Sequence, residues 1–207
     1  MDEQLEFKDI SPTILADVLP VGQVISACIR PLWLGMPRCA GPAYTVRCGP
    51  GDNLMLHAAV YRAPPGSIVV VEGGDTIFAL AGGNVCAVAQ KRGIIGFILD
   101  GAIRDIAEIR AIQFPVFARG ITPIAAGKHA LGELNTPVRC GGALIEPGDV
   151  CVGDEEGLVV IPRSALDFTL QAATSKIKRE STQSLEVWEA DHRVRIDRIL
   201  RDKGFLD

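Results

Sequence analysis

Several patterns that would point directly to a chemistry are missing from this 207-residue chain. Its six cysteines, Cys28, Cys39, Cys48, Cys86, Cys140 and Cys151, include no Cys-x-x-Cys pair, and no histidine stands at zinc-ligand spacing beside them. That removes the usual grounds for a structural zinc or a disulfide framework. In stretches such as Val150-Cys151-Val152 the thiols read as small buried hydrophobes in a reducing compartment. Neither Gly-x-Gly-x-x-Gly nor Gly-Lys-Ser/Thr occurs, so no nucleotide-phosphate loop is indicated. There is no Gly-x-Ser-x-Gly elbow to expose a nucleophilic serine. No apolar run approaches the roughly 20 residues of a membrane span, and the acidic opening lacks the apolar core of a secretory signal. The expectation is a cytoplasmic protein with no membrane partner. Lys and Arg number 21 against 25 Asp and Glu, for a net charge of -4. That balance excludes a general nucleic-acid surface, which needs clustered positive charge, while leaving room for a local anion pocket.

What is present is an ordinary globular composition, 48% apolar and 22% charged, in a length that fits a single domain over 1–207 with a sizeable core. Ser11 followed by Pro12 starts a helix over 11–19. Short apolar strands are expected at 41–48, 67–71, 94–99 and 115–118, with helices at 51–62, 84–91 and from Asp105 to about 111. The runs Ser67 to Val71 and Ile94 to Leu99 are apolar on both alternating sets, as in strands buried on both faces. Strand and helix alternate, which predicts parallel crossover units. From about 134 the pattern turns to short strands separated by Gly141-Gly142, Pro147-Gly148-Asp149 and Asp154-Glu155-Glu156-Gly157. A long charged helical stretch then occupies about 164–202. Its scattered Ile177, Leu185, Trp188, Val194 and Leu200 suit packing on a neighbouring subunit.

Two glycine-bearing turns could carry chemistry. In Asp100-Gly101-Ala102-Ile103-Arg104-Asp105, read as a strand-to-helix turn, Arg104 offers a fork for a carboxylate or enolate oxygen, and Asp105 offers a hard oxygen ligand to a divalent cation. The same residues also fit a purely structural reading, because Asp105 with Glu108 forms an Asp-x-x-Glu capping box. The second turn, Ala81-Gly82-Gly83-Asn84, could cradle a carboxylate on backbone N–H groups, or could be a plain connection capped by Asn84. His57 reads as a core or interface histidine, His129 and His192 have no partner at ligand spacing, and Asp154 to Gly157 reads as a hairpin turn.

These segments together resemble the RraA-like family. That family includes 4-hydroxy-4-methyl-2-oxoglutarate aldolases, oxaloacetate decarboxylases and the regulator of ribonuclease activity A. The similarity runs through Gly51-Asp52-Asn53-Leu54, Pro65 to Val71, Gly93 to Asp105, Phe114 to Gly120 and Pro137 to Gly157, and covers nearly the whole chain. It implies an α/β fold, the RraA-like swivelling β/β/α domain, with the C-terminal helix on a neighbouring subunit of a trimer or hexamer. It further implies a divalent-metal-dependent lyase on a small 2-keto acid, working through a pyruvate enolate. By resemblance, Arg104 would bind the keto acid and stabilise the enolate, and Asp105 would help hold Mg²⁺ or Mn²⁺. The loop Gly82, Gly83, Asn84 and Val85 would bind the carboxylate, and Glu180 from a neighbour would complete the metal's outer shell. Aldolase members carry an acidic residue where this chain has Gly83, so decarboxylation is the simpler half of the chemistry to retain. Regulator-type members lack the Asp that follows the Arg, and this chain keeps Asp105. The alternative is a non-catalytic trimeric regulator docking on a protein such as a ribonuclease.

Overall fold

The computed structural model describes residues 7–205. Its centre is a nine-stranded mixed sheet. The strands are β1 (Arg30–Pro31), β2 (Cys39–Arg47), β3 (Ile68–Glu72), β4 (Ala79–Ala81), β5 (Gly96–Ile103), β6 (Val116–Ile121), β7 (Glu133–Leu134), β8 (Val138–Cys140), β9 (Ala143–Ile145), β10 (Val150–Asp154) and β11 (Gly157–Ile161). The main path runs β1-β6-β5-β3-β2-β10-β11, with β4 beside β5 and β7 beside β2, while β8 and β9 form a separate hairpin. The sheet curls until its end strands β1 and β11 touch, giving a nearly closed barrel. The α-helices are α1 (Pro12–Ala16), α2 (Leu54–Val60), α3 (Gly83–Lys91), α4 (Ile106–Ala111), α5 (Leu166–Ser181) and α6 (Leu185–Asp202).

The crossover expectation holds: β2 with β3, β3 with β5, β4 with β5 and β5 with β6 all pair in parallel. Side chains alternate across a strand, so Val69 and Val71 of β3 enter one core cluster with Phe97 and Leu99 of β5. Ile68 and Val70 enter the opposite cluster with Ile98 and Phe117. Every one of these is fully buried, which explains why both strands read as continuous apolar runs. Phe97 meets Phe114 edge to face at 5.0 Å, and truncating either ring to Ala should cost about 3–5 kcal/mol.

Three sequence expectations need correction. Asp100-Gly101 is no turn, because β5 runs through it to Ile103 with a register shift against β6. A Cβ on Gly101 would sit 2.7 Å from Leu80 and 3.1 Å from the Asp75 carbonyl, so this glycine serves close packing of β4. The C-terminal stretch is two helices instead of one. Ser181 and Thr182 return their hydroxyls to the carbonyls of Lys178 and Arg179, and Ser184 caps α6 by accepting the Val187 N–H at 3.4 Å. Nor does the whole stretch leave its own core. Thr169 and Ala173 of α5 are buried, Leu166 and Leu170 pack with α1 and β10–β11 residues, and Lys176 pairs with Asp17 at 3.1 Å. Only α6 buries nothing. Among the described residues no helix is long and apolar enough to cross a membrane.

Candidate functional site

Arg104 and Asp105 leave the carboxyl end of β5, where open α/β sheets place their ligands. The Arg104 N–H bonds the Ala81 carbonyl at 3.1 Å, which ties this end of β5 to the end of β4 and so to the start of α3. Asp105 then adopts φ 61°, ψ 39°, a left-handed conformation uncommon outside glycine but tolerated by Asp. That backbone turn defeats the capping-box reading. Asp105 stands at the N-cap of α4 without giving it a side-chain cap. Its Oδ2 instead accepts the Gly83 N–H at 3.1 Å and lies 3.4 Å from Arg104 Nε.

The two glycines are the surface on which these side chains rest. A Cβ on Gly82 would collide with Asp105 Oδ2 and come within 3.1 Å of Arg104 Nε. A Cβ on Gly83 would collide with Glu108 Oε2. The space a side chain at position 83 would need is taken by the Glu108 carboxylate of α4. Gly82, and not Asn84, is the N-cap of α3. The helix leaves the N–H groups of its first turn free by geometry. Gly83 gives its own to Asp105, so the α3 amides left for an anion are those of Asn84 and Val85.

The structure draws in residues that sequence spacing did not single out together. A cleft of about 100 Å³ is lined by Arg104, Asp105, Gly82, Asn84 and Val85, and also by Asn53, His57, Ala79, Ala81, Ala125 and Lys128. Asn53 and His57 enter from the first turn of α2. Lys128 arrives on a loop strapped down by Ala79 N–H to the Ile124 carbonyl (2.7 Å), Ala126 N–H to the Ala79 carbonyl (3.1 Å) and Gly127 N–H to the Gly51 carbonyl (2.8 Å). Asp52 anchors the same loop by accepting the N–H groups of His129 (2.5 Å) and Ala130 (3.0 Å), and takes the Leu54 N–H at 2.8 Å. Burial alone would raise the Asp52 pKa, but these three N–H donors and the nearby His129 outweigh it and hold the carboxyl below its ordinary value. His57 is shifted down by burial and by the charge of Lys128, so at neutral pH it is a neutral imidazole. The one sequence signal for this wall was the Gly51-Asp52-Asn53 turn.

Not every expected residue meets here. Glu180 lies at the far end of α5, bound to Lys176 at 2.5 Å, in the groove between α5 and α6. Within one chain it joins neither Arg104 nor Asp105. Among the described residues no three His, Cys, Asp or Glu side chains converge on a metal position. His192 stacks on Trp188 at 4.5 Å, and His129 contributes its backbone N–H to Asp52. Asp154 closes the β10–β11 hairpin by accepting the Glu156 N–H at 3.0 Å and binds Arg38 at 2.9 Å.

Comparison with known proteins places the chain in a family. The family model for RraA-like proteins (Aldolase/RraA) matches residues 13–160. A Halalkalibacterium halodurans protein, provisionally named as a 4-hydroxy-4-methyl-2-oxoglutarate aldolase, is 37% identical over 203 residues, covering 98% of this chain and 92% of its own length. A Thermus thermophilus protein named 4-hydroxy-4-methyl-2-oxoglutarate aldolase is 30% identical over 151 residues, 72% of this chain and 91% of its own. Among solved structures, a Thermus thermophilus protein described as the RNA-processing inhibitor RraA superposes with a TM-score of 0.67 at 29% identity, covering 73% of this chain and 92% of that one. An unusual member of the RraA ribonuclease-inhibitor family from Streptomyces coelicolor superposes with a TM-score of 0.77 at 26% identity, over 87% and 94%.

Proposed function

Because the chain belongs to the RraA-like family, we propose that it is a carbon–carbon lyase acting on a small 2-keto acid, built as one RraA-like domain with a helical extension at about 164–202. The observation that carries this reading is the convergence of Arg104 and Asp105 on the Gly82-Gly83 start of α3. A structural cap would have turned Asp105 toward its own helix; a left-handed backbone at a cleft is a typical cost of holding a functional side chain.

In this reading the Asn84 and Val85 amides, at the positive end of α3, take the substrate carboxylate. Arg104 faces the keto oxygen. When CO₂ leaves oxaloacetate, the electron pair of the broken bond passes into an enolate, and the guanidinium meets the negative charge that develops on its oxygen. Aldol cleavage of a 4-hydroxy-2-keto acid needs in addition a base for the hydroxyl proton. His57, neutral and in the cleft, has a ring nitrogen free to take it. Glu108 places a carboxylate beside the glycine loop, so the aldol half of the chemistry is not given up with Gly83.

Mg²⁺ or Mn²⁺ fits the oxygen donors here. The Asp105 and Glu108 carboxylates are hard ligands, and Mg²⁺ is content with one or two carboxylates while keeping several waters. Asp105 and Glu108 would hold the ion, with Glu180 reaching its outer shell from a second copy of the chain. Once bound, such an ion polarises the 2-keto acid as a Lewis acid. The test is a panel of 2-keto acids, oxaloacetate and 4-hydroxy-4-methyl-2-oxoglutarate among them, assayed for pyruvate release with and without Mg²⁺ or Mn²⁺. Metal-stimulated release from at least one supports the lyase; release from none overturns it.

A second reading, a non-catalytic trimeric regulator, is favoured by one feature. Leu185, Val187, Trp188 and Val194 of α6 are exposed, a surface suited to a protein partner. In that case the cleft would bind neither metal nor keto acid.

A further inference from the structure

Asp52 is buried and does not line the cleft, yet its two oxygens hold two of the segments that do. Oδ1 accepts the Leu54 N–H at 2.8 Å, at the start of α2, the helix that carries His57. Oδ2 accepts the N–H groups of His129 and Ala130, the two residues that follow Lys128. The residue before Lys128 is pinned to the same turn: Gly127 gives its N–H to the Gly51 carbonyl at 2.8 Å and accepts the Asn53 N–H at 2.9 Å. The turn is fixed in its own right, because the Gly51 N–H donates to Asp75 Oδ2 at 2.7 Å and Asn53 Nδ2 donates to the Leu80 carbonyl at 2.9 Å. Lys128 is therefore held from both sides where it joins His57 in the cleft wall.

The charges around His57 are not balanced. On the β5 exit, Arg104 and Asp105 lie 3.4 Å apart and largely offset each other's field. On the loop, Lys128 makes no ion pair among the described residues. Its ammonium and burial both act against a proton on the imidazole. On the turn before α2, the Asp52 charge alone would favour that proton, but this carboxylate is taken up by its three backbone donors. We propose that Asp52 is a positioning residue: one carboxylate clamps the start of α2 to the loop, so that Lys128 stays beside His57 and the imidazole stays a proton acceptor. The use of that acceptor as a base rests on the lyase reading above. In turnover, loosening the clamp should move the acid limb of kcat/KM to higher pH, because His57 would take up its proton earlier as the pH falls.

The experiment is a proton NMR titration of the 3 histidines of the full chain, with the His57 signal assigned by its absence from His57→Gln. Lys128→Met keeps the long stem without the charge and should raise the His57 pKa. Asp52→Asn should raise it too. The sign is informative, since removing a nearby negative charge by itself lowers an imidazole pKa. In the Lys128→Met background Asp52→Asn should add no further rise. A further rise there would trace the effect to loosening of α2 and overturn the proposal. An unchanged or lowered His57 in Asp52→Asn overturns it as well, as does an unchanged His57 in Lys128→Met. If a melting curve finds Asp52→Asn unfolded, amide exchange in the parent decides. The His129 and Ala130 N–H groups should exchange at least about tenfold more slowly than in an unfolded chain, and unprotected amides overturn the clamp. The titration needs no turnover. The expected shifts without pyruvate release from any keto acid would remove the lyase reading and leave this one; pyruvate release with an unshifted His57 would do the reverse.

Discussion

Asp105 Oδ2 accepts the backbone N–H of Gly83 at 3.1 Å, a bond across 22 residues that joins the exit of β5 to the first turn of α3. It positions the carboxylate and the Arg104 guanidinium together, and it is possible only because position 82 carries no Cβ. Gly82 itself has an ordinary extended backbone, φ -151°, so alanine is tolerated there conformationally. The methyl of Gly82→Ala would instead displace the ends of two flexible side chains. We expect the melting temperature to stay within about 3 °C while activity falls about a hundredfold, the scale of a misplaced catalytic group. Equal kcat/KM for Gly82→Ala and the parent would show that Asp105 and Arg104 need not sit where they do.

Asp52 and His57 should lose stability in separate pH windows. Burial and Lys128 depress His57 below its ordinary 6.5, so folding disfavours its proton. Its contribution is complete above 6.5 and is lost as the pH falls from there through the depressed value. Asp52, depressed from 3.8 by its backbone donors despite the opposing effect of burial, contributes above 3.8 and loses that only in stronger acid. Melting curves should therefore fall in two stages. His57→Gln should flatten the first, the stage that opens as the pH falls below 6.5. Asp52→Asn should lower the melting temperature by about 4–8 °C at neutral pH, as it weakens the anchor of the loop carrying Lys128. A single acid transition unchanged by His57→Gln would contradict the assignment.

No residue of α6 is buried within its own chain, and Trp188, Val194, Ile196 and Ile199 are exposed along it. A trimer or hexamer with α6 as its contact is the expected state in solution. Light scattering should find that oligomer for the parent and a folded monomer after removal of residues 183–207. A monomeric parent at micromolar concentration would refute this.

Five of the six thiols are buried and Cys28 is exposed. Burial pushes Cys39 up to about 12 and Cys48 up to about 11, so both stay protonated and unreactive at neutral pH. Titration with an aromatic disulfide should count one fast thiol in the native protein and six after denaturation without reductant. Two or more fast thiols, or a denatured count below six, would go against it.

Much of this was legible in the sequence because the signals are local. Ile68 to Val71 is apolar on both alternating sets, and that pattern has few solutions besides a strand covered on both faces. Arg104-Asp105 after such a strand is equally visible. What was not legible depends on contacts between distant segments. Asp105 and Glu108 have the spacing of a capping box, and only the left-handed backbone at Asp105, stabilised by Gly83 far along the chain, undoes it. Gly101 looks like a turn residue until Leu80 is seen packed against it. Asn53 and His57 share a helix face, but nothing in the spacing ties them to Lys128; it meets them because residues 122–130 are strapped to β4 and to the Gly51–Asn53 turn. The division of the C-terminal helix rests on Ser181-Thr182-Gln183-Ser184, whose hydroxyls compete for backbone groups, a weak signal inside a charged helical stretch.

The central claim is that Arg104 acts on the substrate's developing charge and Asp105 acts through a bound cation. Parallel metal titration and pyruvate-release assays on Arg104→Lys and Asp105→Asn test it most directly. Lysine keeps the charge but loses the planar fork, so Arg104→Lys should bind Mg²⁺ as the parent does and release pyruvate about a hundredfold more slowly. Asparagine tolerates the left-handed backbone, so Asp105→Asn should melt like the parent while its Mg²⁺ affinity and turnover fall together. An Asp105→Asn protein that binds Mg²⁺ and releases pyruvate at the parent's rate would contradict the account.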